Sequence, residues 1–113
     1  MTEGVKPQRV ASVISLGEGY AQEYERLHRE VWPAVLATLR RAHMTNYSIF
    51  RYQDLLFSYL EYVGNDFEAD SALIAADPDT QAWWRVVGPL QRSLRSSPDE
   101  PWWLPMPEVF HLP

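Results

Sequence analysis

Cysteine is absent from this 113-residue chain. That excludes a disulfide, a thiol nucleophile and a thiolate metal site. Long apolar runs are lacking as well. No segment approaches the roughly 18 consecutive apolar residues that span a bilayer, so no membrane span is expected. Histidine is scarce, with three residues. No spacing of His, Asp and Glu resembles a metal site, and no metal is expected. No glycine-rich loop is present to cradle a phosphate. Basic residues are outnumbered: Lys and Arg total 10 against 15 Asp and Glu, a net charge of −5. The bases are interleaved with acids on helix outer faces, which argues against nucleic acid or an anionic membrane as partner.

Apolar residues make up 46% of the chain, enough to build a core. The length suits a single domain over 1–113. Aromatic residues reach 13%, with five Trp. That excess suggests an aromatic-lined pocket, an interface, or both. Residues 1–8 are polar, read as a flexible arm and carry no run of signal-peptide length. A soluble, cytoplasmic protein is the expectation.

Arg9 to Leu16 is rich in Val, Ile and Ser and reads as a strand. Gly17-Glu18-Gly19 is a turn into a long helix over about Tyr20 to Ala42, kinked or broken after Trp32 by Pro33. Thr45–Tyr52 and Leu55–Val63 read as two strands of a hairpin turning at Gln53-Asp54. Asp66–Ala76 is a second helix capped by Asn65 or Asp66, and Asp77-Pro78 opens a third over Asp79–Val87. Ser93–Pro105 is a Ser/Pro-rich loop, and Pro107–Leu112 a last edge strand. The order β-α-β-β-α-β predicts an α+β, ferredoxin-like split βαβ fold: an antiparallel four-stranded sheet with helices on one face. The second hairpin strand is apolar on both sides, so a second subunit is expected over the open face, giving a homodimer.

The helix carries the candidate chemistry. At 100° per residue, Tyr20, Tyr24, Leu27, His28, Val31, Trp32, Val35 and Leu39 share one face. Glu25–Arg29 and Arg26–Glu30 are i,i+4 pairs on the other. An inward His28 beside an inward Tyr24 must be hydrogen-bonded or line a wet pocket. It is either a satisfied core residue or a reacting group. Tyr20, Tyr24 and His28 form a polar ladder. In Trp83-Trp84 at most one ring faces a pocket and the other packs. Trp102-Trp103, in a Pro-flanked loop, has no core register and is expected as a wall or lid over a pocket mouth. Tyr47 and Ile49 share one strand face. His43 reads as a solvent-exposed partner of the helix C-terminus. His111 reads as structural, Arg51 and Glu61 as a pair across the hairpin or as residues meeting a partner chain, and Asp54 as a turn residue.

The segments YERLHREVWPAVLATLRRA, NYSIFR, LLFSYLEY, WWR and EVFHLP, in that order from about Arg9 to Pro113, resemble the L-rhamnose mutarotase family. The most specific string is Tyr-x-x-x-His-x-x-x-Trp-Pro, from Tyr24 to Pro33. The resemblance implies a dimeric α/β barrel of two ferredoxin-like sheets. It implies cofactor-free interconversion of the α and β anomers of a deoxysugar such as L-rhamnose. His28 then matches the catalytic histidine, with Tyr24, Tyr47, Trp83 and Trp84 lining the sugar site. Trp102-Trp103 departs from the family pattern, which has small and polar residues there.

Anomer exchange requires a proton put on the ring oxygen and one taken from the anomeric hydroxyl, then the reverse. General acid–base groups suffice, so no cofactor is expected. Neutral imidazole offers one donor and one acceptor near neutral pH. A competing reading is a cofactor-free monooxygenase or cyclase of an aromatic polyketide on the same dimeric barrel, which the tryptophans would suit. A third is a binding or structural dimer without activity.

Overall fold

A computed structural model describes residues 6–113 of the chain. The first five residues of the expected 1–8 arm lie outside the described residues. Lys6 and Pro7 are exposed coil, and Gln8 already belongs to the first strand. The elements are β1 (Gln8–Leu16), α1 (Ala21–His28), α2 (Pro33–Arg41), β2 (Met44–Tyr52), β3 (Leu55–Tyr62), α3 (Phe67–Ala76), α4 (Pro78–Val87), β4 (Gln91–Arg92) and β5 (Leu104–Met106). The sheet order is β2-β3-β1-β4, with β5 also on β1, and every pairing is antiparallel. This is the ferredoxin-like arrangement the element order predicts.

The expected break just after Trp32 comes earlier: α1 ends at His28, and α2 restarts at Pro33. The residue before a proline is pushed out of the α region. Trp32 accordingly sits at φ −59°, ψ 132° as the cap of α2, with Pro33 in its first turn. That rule accounts for the restart of the helix at Pro33 but not for its end at His28. Asp66 caps α3 by accepting from the Ala69 amide at 3.1 Å. Asp77 caps α4, accepting from the Thr80 amide at 2.9 Å and its hydroxyl at 2.8 Å.

Alternation divides each strand between two faces. Ile14, Leu16 and Leu56 join Tyr24, Val35, Trp83 and Val87 in one core cluster, which places helix side chains against this face. Burying a side chain of this size fully stabilises the fold by roughly 1.5–3 kcal/mol. The other face is open. Phe50 pairs with Phe57, and Val13 with Phe57, on that side. Phe50 and Tyr52 are 65% and 64% exposed.

The fourth strand differs from expectation. Gln91 and Arg92 pair with Leu16 and Ser15, while Leu104 to Met106 pair with Val13 to Ala11. Only Ile14 separates the two pairings on β1. β4 and β5 are thus one edge strand interrupted by residues 93–103. The expected strand at Pro107–Leu112 does not form. Pro107 has no N–H to continue the ladder. Past Met106 a side-chain contact still ties the tail to β1, with Arg9 donating to Glu108 at 2.9 Å. Beyond it Val109, Phe110 and Leu112 are 94%, 79% and 78% exposed.

Surface pairs are also rearranged. Arg26 pairs with Glu23 rather than Glu30, and Glu25 with Arg51 (2.6 Å) rather than Arg29. Glu61 therefore has no pairing with Arg51. It accepts from Tyr59 and Asn46 instead. His43, at positive φ (66°), is exposed as expected but lies 3.0 Å from Asp70. His111 sits in the tail, 3.8 Å from Glu108. Among the described residues, no helix is long and apolar enough to cross a membrane.

Candidate active site

α1, α4, β2 and the two ends of the strand interruption converge on one cavity of about 440 Å³. Its lining includes Tyr24, His28, Tyr47, Ile49, Trp83, Trp84, Val87, Gly88, Gln91, Trp102 and Trp103. The volume lies in the usual range for small-ligand sites, about 300–1,000 Å³. A second, more apolar recess of about 320 Å³ shares His28, Tyr47, Ile49 and Trp83 and extends to Val31, Val35, Leu36 and Leu39.

Tyr24 and His28 are one helical turn apart, so their rings stack, with centroids 4.1 Å apart and planes at 21°. The imidazole also meets the edge of Trp83 at 5.2 Å. Its Nδ1 lies 2.9 Å from the Tyr24 carbonyl oxygen. A carbonyl only accepts, so Nδ1 carries the proton of the neutral ring and Nε2 holds the free lone pair. Burial pulls the His28 pKa below the ordinary histidine value, against a smaller raising effect of that hydrogen bond. The ring is therefore a neutral base at physiological pH.

Burial pushes the Tyr24 phenol up to about 12, although its hydrogen bond to Gln91 acts the other way. It stays protonated and can donate. Burial also raises the Tyr47 phenol, even though the residue as a whole is 43% exposed.

The expected site residues fall out unevenly. Tyr24, His28, Tyr47, Trp83, Trp84, Trp102 and Trp103 all border the cavity. Tyr20 does not. It sits at the α1 cap, 38% exposed, with the Arg92 guanidinium 5.6 Å above its ring. It precedes the helix proper, so the ladder stops at Tyr24. Trp83 and Trp84 both reach the cavity, contrary to the one-ring expectation. Trp83 is buried and edge-on to Trp32, while Trp84, 45% exposed, forms the rim. Trp102 is 42% exposed, as a wall should be, but Trp103 packs against the core. Leu104 pairs with Val13 on the open face, so the residue before it turns to the Ile14 side.

Gln91 escaped the sequence reading. It is buried, beside Tyr24 and Trp102. No local pattern marks it, because its inward orientation follows only from pairing with Leu16.

A family profile described as L-rhamnose mutarotase matches residues 9–112. The chain belongs to the L-rhamnose mutarotase family. It is 42% identical over 108 residues to the L-rhamnose mutarotase of Opitutus terrae, covering 92% of this chain and 97% of that one. It is 39% identical over 102 residues to the L-fucose mutarotase of Xanthomonas campestris, covering 84% and 81%. The crystal structure of an L-rhamnose mutarotase from Formosa agariphila superposes with a TM-score of 0.74 at 26% identity, over 94% of this chain and 99% of the other. Mutarotases are isomerases. Nothing in these comparisons supports the oxygenase or cyclase reading.

Proposed function

We propose that this mutarotase-family protein interconverts the α and β anomers of L-rhamnose or a related 6-deoxy sugar such as L-fucose, using its own acid–base groups. The observation that carries the reading is His28: Nδ1 tied to the Tyr24 carbonyl, Nε2 without a partner among the described residues, in a cavity walled by aromatic rings. Nε2 takes the proton of the anomeric hydroxyl. The Tyr24 hydroxyl gives its proton to the ring oxygen as the C1–O5 bond breaks. Rotation about C1–C2 in the open aldehyde presents its other face. The two protons then return by the same groups as the ring closes, so no atom or electron is gained or lost. Trp83 and Trp84 supply apolar surface for a sugar face, and the recess toward Val31 and Leu39 suits the 6-methyl group. Tyr47 supplies a further hydroxyl.

The open sheet face supports a homodimer. Val13, Phe50, Tyr52, Phe57 and Tyr59 form an apolar strip that a second copy would cover, as in a dimeric α/β barrel. Within the same proposal, the protein acts in the cytoplasm on free monosaccharide. Saturation-transfer NMR of L-rhamnose and L-fucose tests the activity directly. Added protein should speed exchange between the two anomeric proton signals; unchanged exchange for both sugars would refute it.

A further inference from the structure

We propose that Gln91 is a positioning residue that aims the Tyr24 hydroxyl proton into the cavity, and that Trp102 locks it in that orientation. The inference rests on the mutarotase reading for its kinetic consequence, but its geometry stands apart from it. The indole Nε1–H of Trp102 lies 2.8 Å from Gln91 Oε1. An indole nitrogen can only donate, so the Gln91 oxygen must face Trp102. The amide nitrogen then faces Tyr24, 3.4 Å from its hydroxyl oxygen. An amide nitrogen also only donates. The Tyr24 oxygen is therefore the acceptor, and its own proton must point elsewhere. Among the described residues the Tyr24 hydroxyl has no acceptor, while the side chain borders the cavity. The proton is thus presented to whatever oxygen occupies that space.

The interruption of the edge strand builds this lock. Gln91 faces inward because it pairs with Leu16 on the core face. Residues 93–103 leave the sheet and return, bringing Trp102 back over Gln91. Trp102 is held at the stem of that excursion: its carbonyl accepts from Ser93 Oγ at 2.6 Å, and the Arg95 guanidinium lies 5.2 Å from its ring. Gln91 is buried, so bulk solvent offers its amide little alternative to these two partners. A glutamate there would accept from both neighbours and draw the Tyr24 proton away from the cavity.

Two measurements on the full-length protein test this. In the wild type, NMR should show nuclear Overhauser contacts from the Gln91 side-chain amide protons to the Tyr24 ring, weakened in Trp102→Phe. Their absence in the wild type overturns the orientation whatever the activity. In anomer exchange of L-rhamnose, Gln91→Glu and Trp102→Phe should each lower kcat by about tenfold or more, the scale of one misdirected hydrogen bond, with KM changed by less than about threefold. In a Tyr24→Phe background both losses should vanish. Trp102→Phe keeps an aromatic ring at the position while removing the Nε1–H donor, so it serves where the buried glutamate impairs folding. Losses of equal size with and without the Tyr24 hydroxyl would overturn the role. A wild type with the expected contacts but no anomer exchange would refute the mutarotase reading while leaving the orientation supported.

Discussion

At the residue scale the decisive group is His28. Replacing it with Asn keeps polarity but removes titration near neutral pH. The expected outcome is an anomer-exchange rate lower by roughly 10²–10⁴, with stability changed by no more than about 1–2 kcal/mol. Rate is read by saturation transfer and stability by urea unfolding. The pH dependence has a definite sign. The folded-state pKa of His28 is depressed, chiefly by burial. The wild-type rate should therefore hold through neutral pH and fall only below the ordinary histidine value of about 6.5. Stability follows the same direction. As pH falls through the unfolded value, the unfolded chain takes a proton that the folded ring resists, so stability is lost across the interval down to the folded pKa. An acid limb in the wild type that persists unchanged in His28→Asn would assign it to another group. Tyr24 and His28 were legible because helical spacing alone places them on one face. Gln91 was not, because its orientation comes from a partner strand 75 positions away in register with Leu16.

At the scale of elements, the two halves of the Trp102-Trp103 pair have separate duties. Trp102 is exposed and borders the cavity; Trp103 packs on the core through its Ile14-side orientation. Trp102→Ala should weaken sugar affinity while shifting the melting temperature little. Trp103→Ala should cost roughly 2–4 kcal/mol of stability, because a packed ring leaves a void. Equal stability losses in the two variants would show that both rings are core. The helix break was readable from Trp32-Pro33, since proline sterics are local. The hairpin was readable from its two flanking apolar runs, and the α3 cap only as far as Asn65 or Asp66, because neighbouring side chains both suit a cap. The interrupted edge strand was hidden: β4 has two residues and β5 three. Pieces so short carry no periodicity of their own and exist because β1 offers them an edge. The tail at 107–112 shows the converse. It alternates like a strand, but Pro107 cannot donate and the ladder stops at Met106.

At the scale of the whole molecule, the apolar strip across the open sheet face is left uncovered by the described residues, with Phe50 and Tyr52 exposed on it. Phe50→Glu would place a charge in that strip. Phe50 is 65% exposed in the isolated chain, so monomer folding should be nearly unaffected. Sedimentation should show a wild-type dimer, burying at least roughly 1,200 Å² in total, and a Phe50→Glu monomer. A wild type that sediments as a monomer at micromolar concentration would refute the dimer. The most direct test of the central claim is saturation-transfer NMR of L-rhamnose with equal concentrations of wild-type and His28→Asn protein. The expected result is fast exchange between anomeric signals with the wild type and near-background exchange with the variant. Equal exchange in both would remove His28 from the mechanism, and background exchange in both, for L-fucose as well, would contradict the assigned reaction.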